Sequence, residues 1–153
     1  MHYLFIVNNY LLGDKEYEGK EITDNLLIKE HWVFSQAAPN IKKLGPQDEV
    51  IVYVAGRTNR YFYAYFKILD EIKDAILTPS NKFEKYLYSY FPLSCPIKVI
   101  NVWANPLNII DVKDDLVFIT DKKNYGLFLR QSTKVIGESD FKLIVNKANK
   151  KTN

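Results

Sequence analysis

Two kinds of side chain in this sequence could do chemistry: a nucleophile with its base, and the flat or amide-bearing groups that hold a nucleobase. Cys95 is the single cysteine, and His2 and His31 are the two histidines. Cys95 would need a base such as His31 to act as a nucleophile, and no motif brings the two together. Neither histidine has a partner at a metal-site spacing. We therefore expect no enzyme, no metal, no cofactor and a buried structural thiol.

Aromatic side chains are the more promising group, with 11 Tyr, 9 Phe and 2 Trp among 153 residues. Such rings fit the surface of a sheet, and they also stack on bases. The net charge of +3 permits contact with a phosphate backbone without demanding it. The hydrophobic fraction of 47% and the charged fraction of 25% are typical of a globular protein, and the length predicts one domain over residues 1–153.

The compartment follows from the cysteine count and the first residues. One cysteine excludes an internal disulfide framework and fits a reducing compartment. The opening run MHYLFIVNNYLL lacks a basic start and is interrupted by Asn8 and Asn9, so it predicts a strand and not a signal peptide. No apolar run reaches membrane-spanning length. We expect a cytoplasmic protein without a membrane contact.

The elements that must position these groups alternate between strands and short helices. Hydrophobic spacing and turn residues predict, in chain order, a strand at 3–7, a helical turn near 22–28, a short helix from Pro39, a turn at 45–48, hairpin strands at 49–55 and 60–70, a helix at 80–91 capped by Ser80, a strand at 97–103, a short helix at 112–119, a last strand at 125–130 and a helix at 138–148. The residues from 145 to 153 form a basic tail that is expected to fray.

No strand–helix–strand rhythm and no repeat runs through these elements. The pattern therefore predicts an α+β domain on a mixed or antiparallel sheet, curved or closed into a small open barrel, with short flanking helices.

Three segments, taken in order, carry a resemblance to a known family. They are YLFIVN at 3–8, Trp32 followed by PQDEVIVYV at 46–54, and FITDKKNYGL at 118–127 with the helix DFKLI after it. Together they resemble the EVE domain, a member of the PUA-like fold group that is related to YTH and ASCH domains. Gln47 departs from the glycine usual in that family, so we expect a type I turn in place of type II. The segment 72–93 has no clear counterpart.

The resemblance implies recognition without catalysis: a modified base of DNA or RNA swings out of its stack into an aromatic pocket. The candidate residues for the base pocket are Trp32, Phe34, Ser35, Asn8, Tyr53 and Tyr125, and those for phosphate contacts are Arg57, Arg60, Lys122, Lys123 and Arg130. Each has an ordinary alternative. A tryptophan packs in cores, a serine caps helices and an asparagine forms turns.

A second function remains open. Tyr61, Tyr63 and Tyr65 alternate along one predicted strand and would share one face. Such a face would stack on bases, pack as an ordinary tyrosine ladder, or anchor a protein partner, since tyrosine is enriched at interfaces. The alternative function is therefore an interaction or regulatory module without nucleic-acid binding.

Overall fold

A computed structural model describes residues 1–74 and 77–152. Its strands are β1 His2–Asn8, β2 Tyr10–Leu12, β3 Lys15–Tyr17, β4 His31–Phe34, β5 Glu49–Ala55, β6 Arg60–Ile68, β7 Leu93–Asn108 and β8 Thr133–Ile136, and its helices are α1 Gly19–Lys29, α2 Lys82–Tyr90 and α3 Glu138–Thr152. No helix of the described part is both long and apolar enough to cross a membrane.

Six of the strands form one strongly curled sheet in the order β4-β7-β6-β5-β1-β8. The neighbouring strands β1 and β5 are parallel, and the other neighbours are antiparallel. The strands β2 and β3 form a separate hairpin. The α+β class with a curved mixed sheet and short helices is as predicted.

Both faces of the sheet are buried. The side chains of β1 alternate between two hydrophobic clusters, one on each face. Phe5 and Val7 join the cluster on the α1 side, and Leu4 and Ile6 join the cluster on the α3 side. Every residue from Tyr3 to Val7 is at most 7% exposed. This continuous apolar run is the signature of a strand covered on both faces.

A β-bulge in β6 breaks the predicted tyrosine face. Val52 pairs with Ala64 but Tyr53 pairs with Phe62, so Tyr63 is the extra residue. Tyr61 and Tyr63 consequently pack on the α1 side, whereas Tyr65 packs on the α3 side against Phe141 at 5.2 Å between ring centroids. The expectation that the three tyrosines share one face is wrong, because period-2 alternation fails at a bulge.

The turn before β5 is not the type I turn that the sequence predicted. Gln47 has φ of 73°, and the Asp48 amide donates to the Gly45 carbonyl at 3.3 Å. A positive φ at the third position is the mark of a type II turn. The strain is compensated locally, since the Asp48 carboxylate accepts from the Gly45 amide and from the N-terminal ammonium, each at 2.9 Å.

The short helix predicted from Pro39 is a series of turns. Asn40 has φ of 62°, in the left-handed region, which ends any right-handed helix there. Its side-chain amide donates to the Thr133 carbonyl at 3.0 Å, a long-range contact that no local pattern reveals. Leu44 in this segment is nevertheless buried.

The C-terminal third departs from the sequence prediction at several places. Strand β7 continues past Asn105 and Pro106, which lie where the β6–β7 register shifts, so the proline removes no ladder hydrogen bond. Residues Tyr125–Phe128 form a 3-10 turn, and the last strand is β8.

The predicted frayed tail is helical as far as Thr152, because Asn149 accepts the indole N–H of Trp103 at 2.8 Å and Ala148 is fully buried. The last residue of that tail, 153, lies outside the described residues. Two further residues of the segment without a counterpart, 75 and 76, also lie outside them.

Candidate functional site

Two cavities flank the C-terminal end of β1, one on each face of the sheet. The first, here called the apolar pocket, has a volume of about 100 Å³. It is lined by Phe5, Ile6, Val7, Tyr10, Ile22, Leu26, Trp32, Val33, Phe34, Ser35, Ala38, Leu87, Phe91, Ser132 and Thr133. Three of the predicted base-pocket residues, Trp32, Phe34 and Ser35, are therefore brought together in it.

Strand β4 supplies the aromatic floor of the apolar pocket. The Trp32 ring stacks on Phe66 with 5.1 Å between centroids and lies 5.8 Å from Phe5. Phe34 meets Phe5 edge to face at 5.5 Å. Trp32 and Phe34 are only 5% and 3% exposed. Trp32 thus packs in the core and lines the pocket as well, so both of its sequence-based interpretations describe part of its environment.

Two half-buried rings that the sequence did not single out form the outer wall of the apolar pocket. Tyr10 from β2 and Phe91, which follows α2, pack edge to face at 5.4 Å. Tyr10 comes directly after the Asn8–Asn9 end of β1, and Phe91 ends the helix predicted at 80–91. Phe91 belongs to the segment without a family counterpart, and only the fold brings hairpin and helix together.

The polar groups of the apolar pocket are few and come mostly from turns. The Ser132 carbonyl accepts from the Ile6 amide at 3.0 Å, and the Thr133 hydroxyl donates to the Pro39 carbonyl. Ser35 is half-buried, and its carbonyl accepts from the Ala38 amide at 3.2 Å. Because no helix follows Ser35, its hydroxyl caps none. An aromatic cavity with a small number of polar groups is the usual composition of a small-ligand site.

Helix α2 is anchored beside the apolar pocket by a buried carboxylate, Glu84, which is 1% exposed. It accepts from Asn25 at 2.9 Å and from the amide and hydroxyl of Ser80 at 2.8 and 2.6 Å, and Lys29 lies 3.5 Å away. Burial alone raises the pKa of Glu84, but these hydrogen bonds and Lys29 outweigh it and hold the pKa at about 2. The side-chain cap of α2 is Asn81, not Ser80 as predicted.

The second cavity, here called the polar cleft, lies on the α3 side of the sheet and has a volume of about 490 Å³. It is lined by Asn8, Tyr53, Ala55, Arg60, Asn124, Gly126, Leu127, Leu129 and Arg130. Four predicted site residues, Asn8, Tyr53, Arg60 and Arg130, meet here. The sequence placed Asn8 and Tyr53 in one pocket with Trp32, and the structure puts them on the other face.

Positive charge dominates the polar cleft. Arg60 and Arg130 are exposed, and neither forms an ion pair within residues 1–74 and 77–152. The Arg60 Nε–H donates to the Gly56 carbonyl at 3.2 Å, which leaves its terminal nitrogens available. Burial raises the pKa of Tyr53, with Arg60 opposing and Tyr125 adding to the rise. The Tyr53 hydroxyl, protonated at neutral pH like that of an ordinary tyrosine, is a hydrogen-bond donor.

The remaining predicted phosphate contacts lie elsewhere. Arg57 forms an ion pair with Glu16 at 2.6 Å. The Lys122 ammonium donates to the carbonyls of Leu116 and Ile119 at 2.6 and 2.5 Å, so it closes a turn. Lys123 is exposed.

Tyr125, predicted for the base pocket, is half-buried against the α3-side cluster, with the Lys113 ammonium 5.6 Å from its ring.

The two cavities share the segments between them. Val7 lines the apolar pocket and Asn8 the polar cleft, and Arg130 lines the cleft while Ser132 lines the pocket. Asn8 also lies close enough to the Tyr10 hydroxyl to lower its pKa, against the larger effect of burial, which raises it. One extended ligand could therefore occupy both cavities by crossing the end of β1.

The catalytic candidates lie apart from both cavities. Cys95 is 1% exposed, and burial, with a smaller contribution from Asp70, raises the pKa of its thiol to about 12. A thiol in that state is a poor nucleophile at neutral pH. The His31 ring Nδ1 lies 3.1 Å from the Lys29 carbonyl oxygen. Across residues 1–74 and 77–152, no three His, Cys, Asp or Glu side chains are grouped to hold a metal ion.

Comparison with known sequences gives one family match. The model of the family described as EVE domain matches residues 18–147 of this chain. No curated protein matches the chain by sequence.

Solved structures match over nearly the whole chain. A hypothetical protein from Leishmania major is 14% identical, with a TM-score of 0.63 and 99% of this chain and 96% of that chain covered. Human THYN1, solved in complex with 5-methylcytosine-containing DNA, is 14% identical with a TM-score of 0.62 and 96% of both chains covered. The YTH domain of Zygosaccharomyces rouxii MRB1 protein, solved with N6-methyladenosine RNA, is 11% identical with a TM-score of 0.64, covering 96% and 85%. At these identities the likeness establishes the fold.

Proposed function

The chain belongs to the EVE domain family, and from that membership we propose that it binds nucleic acid by holding one modified base in the apolar pocket. Two proteins of similar fold were solved with a methylated base in DNA or RNA. Their identity to this chain is low, so the proposal depends on the cavity itself. The observation that carries it is a pocket floored by Trp32 and Phe34 directly beside a cationic cleft.

The pocket supplies what an extruded base needs. Unstacking a base costs a few kcal/mol, and stacking on an aromatic side chain returns about 1–3 kcal/mol. Tyr10 and Phe91 present half-buried rings at the outer wall, and Ser35 offers a hydroxyl at the same place. A methyl group on the base would gain apolar contact with Val7 and Ala38, which also line the pocket. Recognition would need no catalytic group.

Entry of a base requires the outer wall to move. The cavity of about 100 Å³ is smaller than the roughly 300–1,000 Å³ of typical ligand pockets. Tyr10 and Phe91 belong to different elements, the β2–β3 hairpin and the end of α2, so they can separate without breaking the six-stranded sheet. We propose that this pair opens as the base enters, while Trp32 and Phe34 stay in place.

Positive residues around the cavities would hold the strand. Phosphate contacts position a nucleic acid and carry no sequence information, and the base pocket supplies the selectivity. Arg60, Arg130 and the exposed Lys123 are available for this role. Arg57 and Lys122 would first have to leave Glu16 and the main-chain carbonyls that they contact.

The test is binding to matched single-stranded oligonucleotides that differ in one methyl group, either 5-methylcytosine against cytosine or N6-methyladenosine against adenosine. Fluorescence anisotropy should give tighter binding to one modified strand. Phe91→Ala should reduce that affinity about tenfold, from the loss of stacking worth about 1–3 kcal/mol. Tyr90→Ala is the matched control, because Tyr90 is the preceding residue but is 54% exposed and lines neither cavity. Equal binding of modified and unmodified strands by the unaltered protein would refute the proposal.

The alternative of a protein-interaction module has less support. It relied on a continuous tyrosine face, and the bulge at Tyr63 sends Tyr65 to the opposite side of the sheet. The two functions also differ in their salt dependence, because release of counterions from phosphates makes nucleic-acid affinity fall steeply with salt.

A further inference from the structure

The polar cleft has a size, charge and polar lining that the base pocket does not use. We infer that it binds a second nucleotide of the same strand, with its phosphate between Arg60 and Arg130 and a base or sugar edge against Asn8, Tyr53 and Asn124. The inference deepens the proposed function and rests on it for the identity of the strand. It makes this domain a reader of a two-nucleotide step: one modified base and one neighbour.

The charge of the cleft selects an anion. Arg60 and Arg130 line it, and among the described residues no Asp or Glu does. Guanidinium groups match the geometry of phosphate oxygens, and their hydrogen bonds to an anion are about twice as strong as neutral ones. Since neither arginine forms an ion pair in the described part of the chain, a phosphate would meet them without displacing a carboxylate.

The neutral groups of the cleft select more than a bare anion. Tyr53 lines the cleft and supplies a hydroxyl donor. Asn124 uses its amide nitrogen to donate to Asp121 at 3.0 Å, so its carbonyl oxygen remains as an acceptor. The exposed Asn8 offers a donor and an acceptor from one carboxamide. Such paired groups match the edge of a base or the hydroxyls of a sugar.

Size and position point to one nucleotide of a continuous strand. About 490 Å³ falls within the range of small-ligand sites and far exceeds what a phosphate ion fills. The neighbouring positions Val7 and Asn8, and the positions Arg130 and Ser132, line different cavities. Two residues of extended chain span about 7 Å, a reach that one sugar–phosphate unit can cover. The phosphate joining two nucleotides would then pass over the end of β1.

The test uses probes without any modified base, so that it is independent of the base pocket. Nucleoside 5′-monophosphates, the matching nucleosides and inorganic phosphate are titrated separately into the 15N-labelled full chain, and amide shifts are followed. The monophosphates should bind more tightly than both other probes and should shift the amides of Asn124 and Gly126. Arg130→Gln should weaken monophosphate binding about tenfold, and Arg60→Gln should do the same, because each removes one charge-assisted contact. The control is Lys42→Gln, an exposed lysine outside both cavities, which should leave binding unchanged.

Two results would overturn the inference. If inorganic phosphate binds as tightly as a monophosphate, the cleft is a simple anion site. If both arginine variants bind monophosphates like the unaltered chain, the cleft is not the site at all. Either result leaves discrimination between modified and unmodified oligonucleotides intact, so failure of the second site and failure of the base pocket are separate outcomes.

Discussion

The apolar pocket and the polar cleft adjoin the same end of β1, yet they are built from different parts of the molecule. The pocket is floored by Trp32 and Phe34, which are also core residues at 5% and 3% exposure. The charged groups of the cleft, Arg60 and Arg130, lie on the surface. A substitution in the pocket floor therefore changes folding and binding together, whereas one at the cleft can change binding alone.

This difference has a consequence for selectivity. A pocket made from core side chains is shaped by packing and tolerates little variation, since protein interiors are close-packed. The arginines of the cleft, Arg60 at a strand end and Arg130 in a loop, can be altered without cost to the core. We therefore expect the fold to constrain the aromatic lining of the apolar pocket. Selectivity for the rest of the nucleic acid would then be set by the side chains of the cleft.

The largest expected effect is that of Trp32→Ala. The substitution removes a buried ring stacked on Phe66, and it should lower the free energy of unfolding by about 3–5 kcal/mol. Urea denaturation followed by circular dichroism measures this directly. The exposed control Tyr90→Ala should change stability by less than about 0.5 kcal/mol. A loss below about 1 kcal/mol for Trp32→Ala would mean that the floor is not part of the core and that the contrast with the cleft fails.

The next effect concerns Glu84, which anchors α2 beside the pocket. Its pKa is held at about 2 in the folded chain, against an ordinary value of 4.5. A lowered folded pKa stabilises the fold above the unfolded pKa, and this contribution disappears as pH falls from about 4.5 through 2. The shift corresponds to roughly 3 kcal/mol. Glu84→Gln should therefore lose about that much at pH 7 and show a weaker decline in stability between pH 5 and pH 2.

The comparison for this second prediction is Glu71→Gln, at an exposed position on the segment before α2. Urea midpoints measured at pH 7, 5, 4, 3 and 2.5 give the stability of both variants. The interpretation of Glu84 as an anchor fails if the two variants have parallel stability curves.

The accuracy of the sequence predictions depends on whether the contacts that form an element are local or long-range. The strand at 49–55 was predicted to its exact bounds, and β1 and the C-terminal helix were predicted to begin within one residue of where they do. Their signals are local: an apolar run and a helical stripe. The EVE resemblance, and with it the PUA-like fold, is confirmed by the family match.

The candidate site was harder to predict because it depends on long-range contacts. Residue spacing gave no sign that Asn8 and Trp32 lie on opposite faces of the sheet, since β1 and β4 are distant in the sequence and their relative facing depends on where each strand joins the sheet. The turn at Asn40 and the bulge at Tyr63 are likewise set by partners distant in sequence or by register. The outer wall joins Tyr10, from a hairpin that the sequence did not predict, to Phe91, from the segment without a family counterpart.

A smaller effect is expected for the turn at Gln47, which lies at the opposite end of β1 and β5 from the two cavities. A substitution there is a reference for substitutions that line either cavity. Gln47 adopts a left-handed conformation that costs about 1–2 kcal/mol, and Gln47→Gly would remove this cost. Glycine also makes the unfolded chain more flexible, which offsets about 0.4–1 kcal/mol of the gain in stability. Stability should rise by roughly 0.5 kcal/mol, measured by urea denaturation. Nucleotide and oligonucleotide binding should not change, because the turn lines neither cavity. A fall in stability would show that the Gln47 side chain makes a compensating contact.

The smallest stability effect should be that of Arg130→Gln, and it tests the contrast from the side of the cleft. The exposed guanidinium makes no ion pair in the described residues, so its loss should change the free energy of unfolding by less than about 0.5 kcal/mol. The same variant should lower the slope of log affinity against log salt by about one for an oligonucleotide, since one phosphate contact is lost. Discrimination between modified and unmodified strands should persist, because that property belongs to the apolar pocket. If Arg130→Gln instead abolishes discrimination while leaving the salt slope unchanged, the cleft holds the modified base, and the roles assigned to the two cavities must be exchanged.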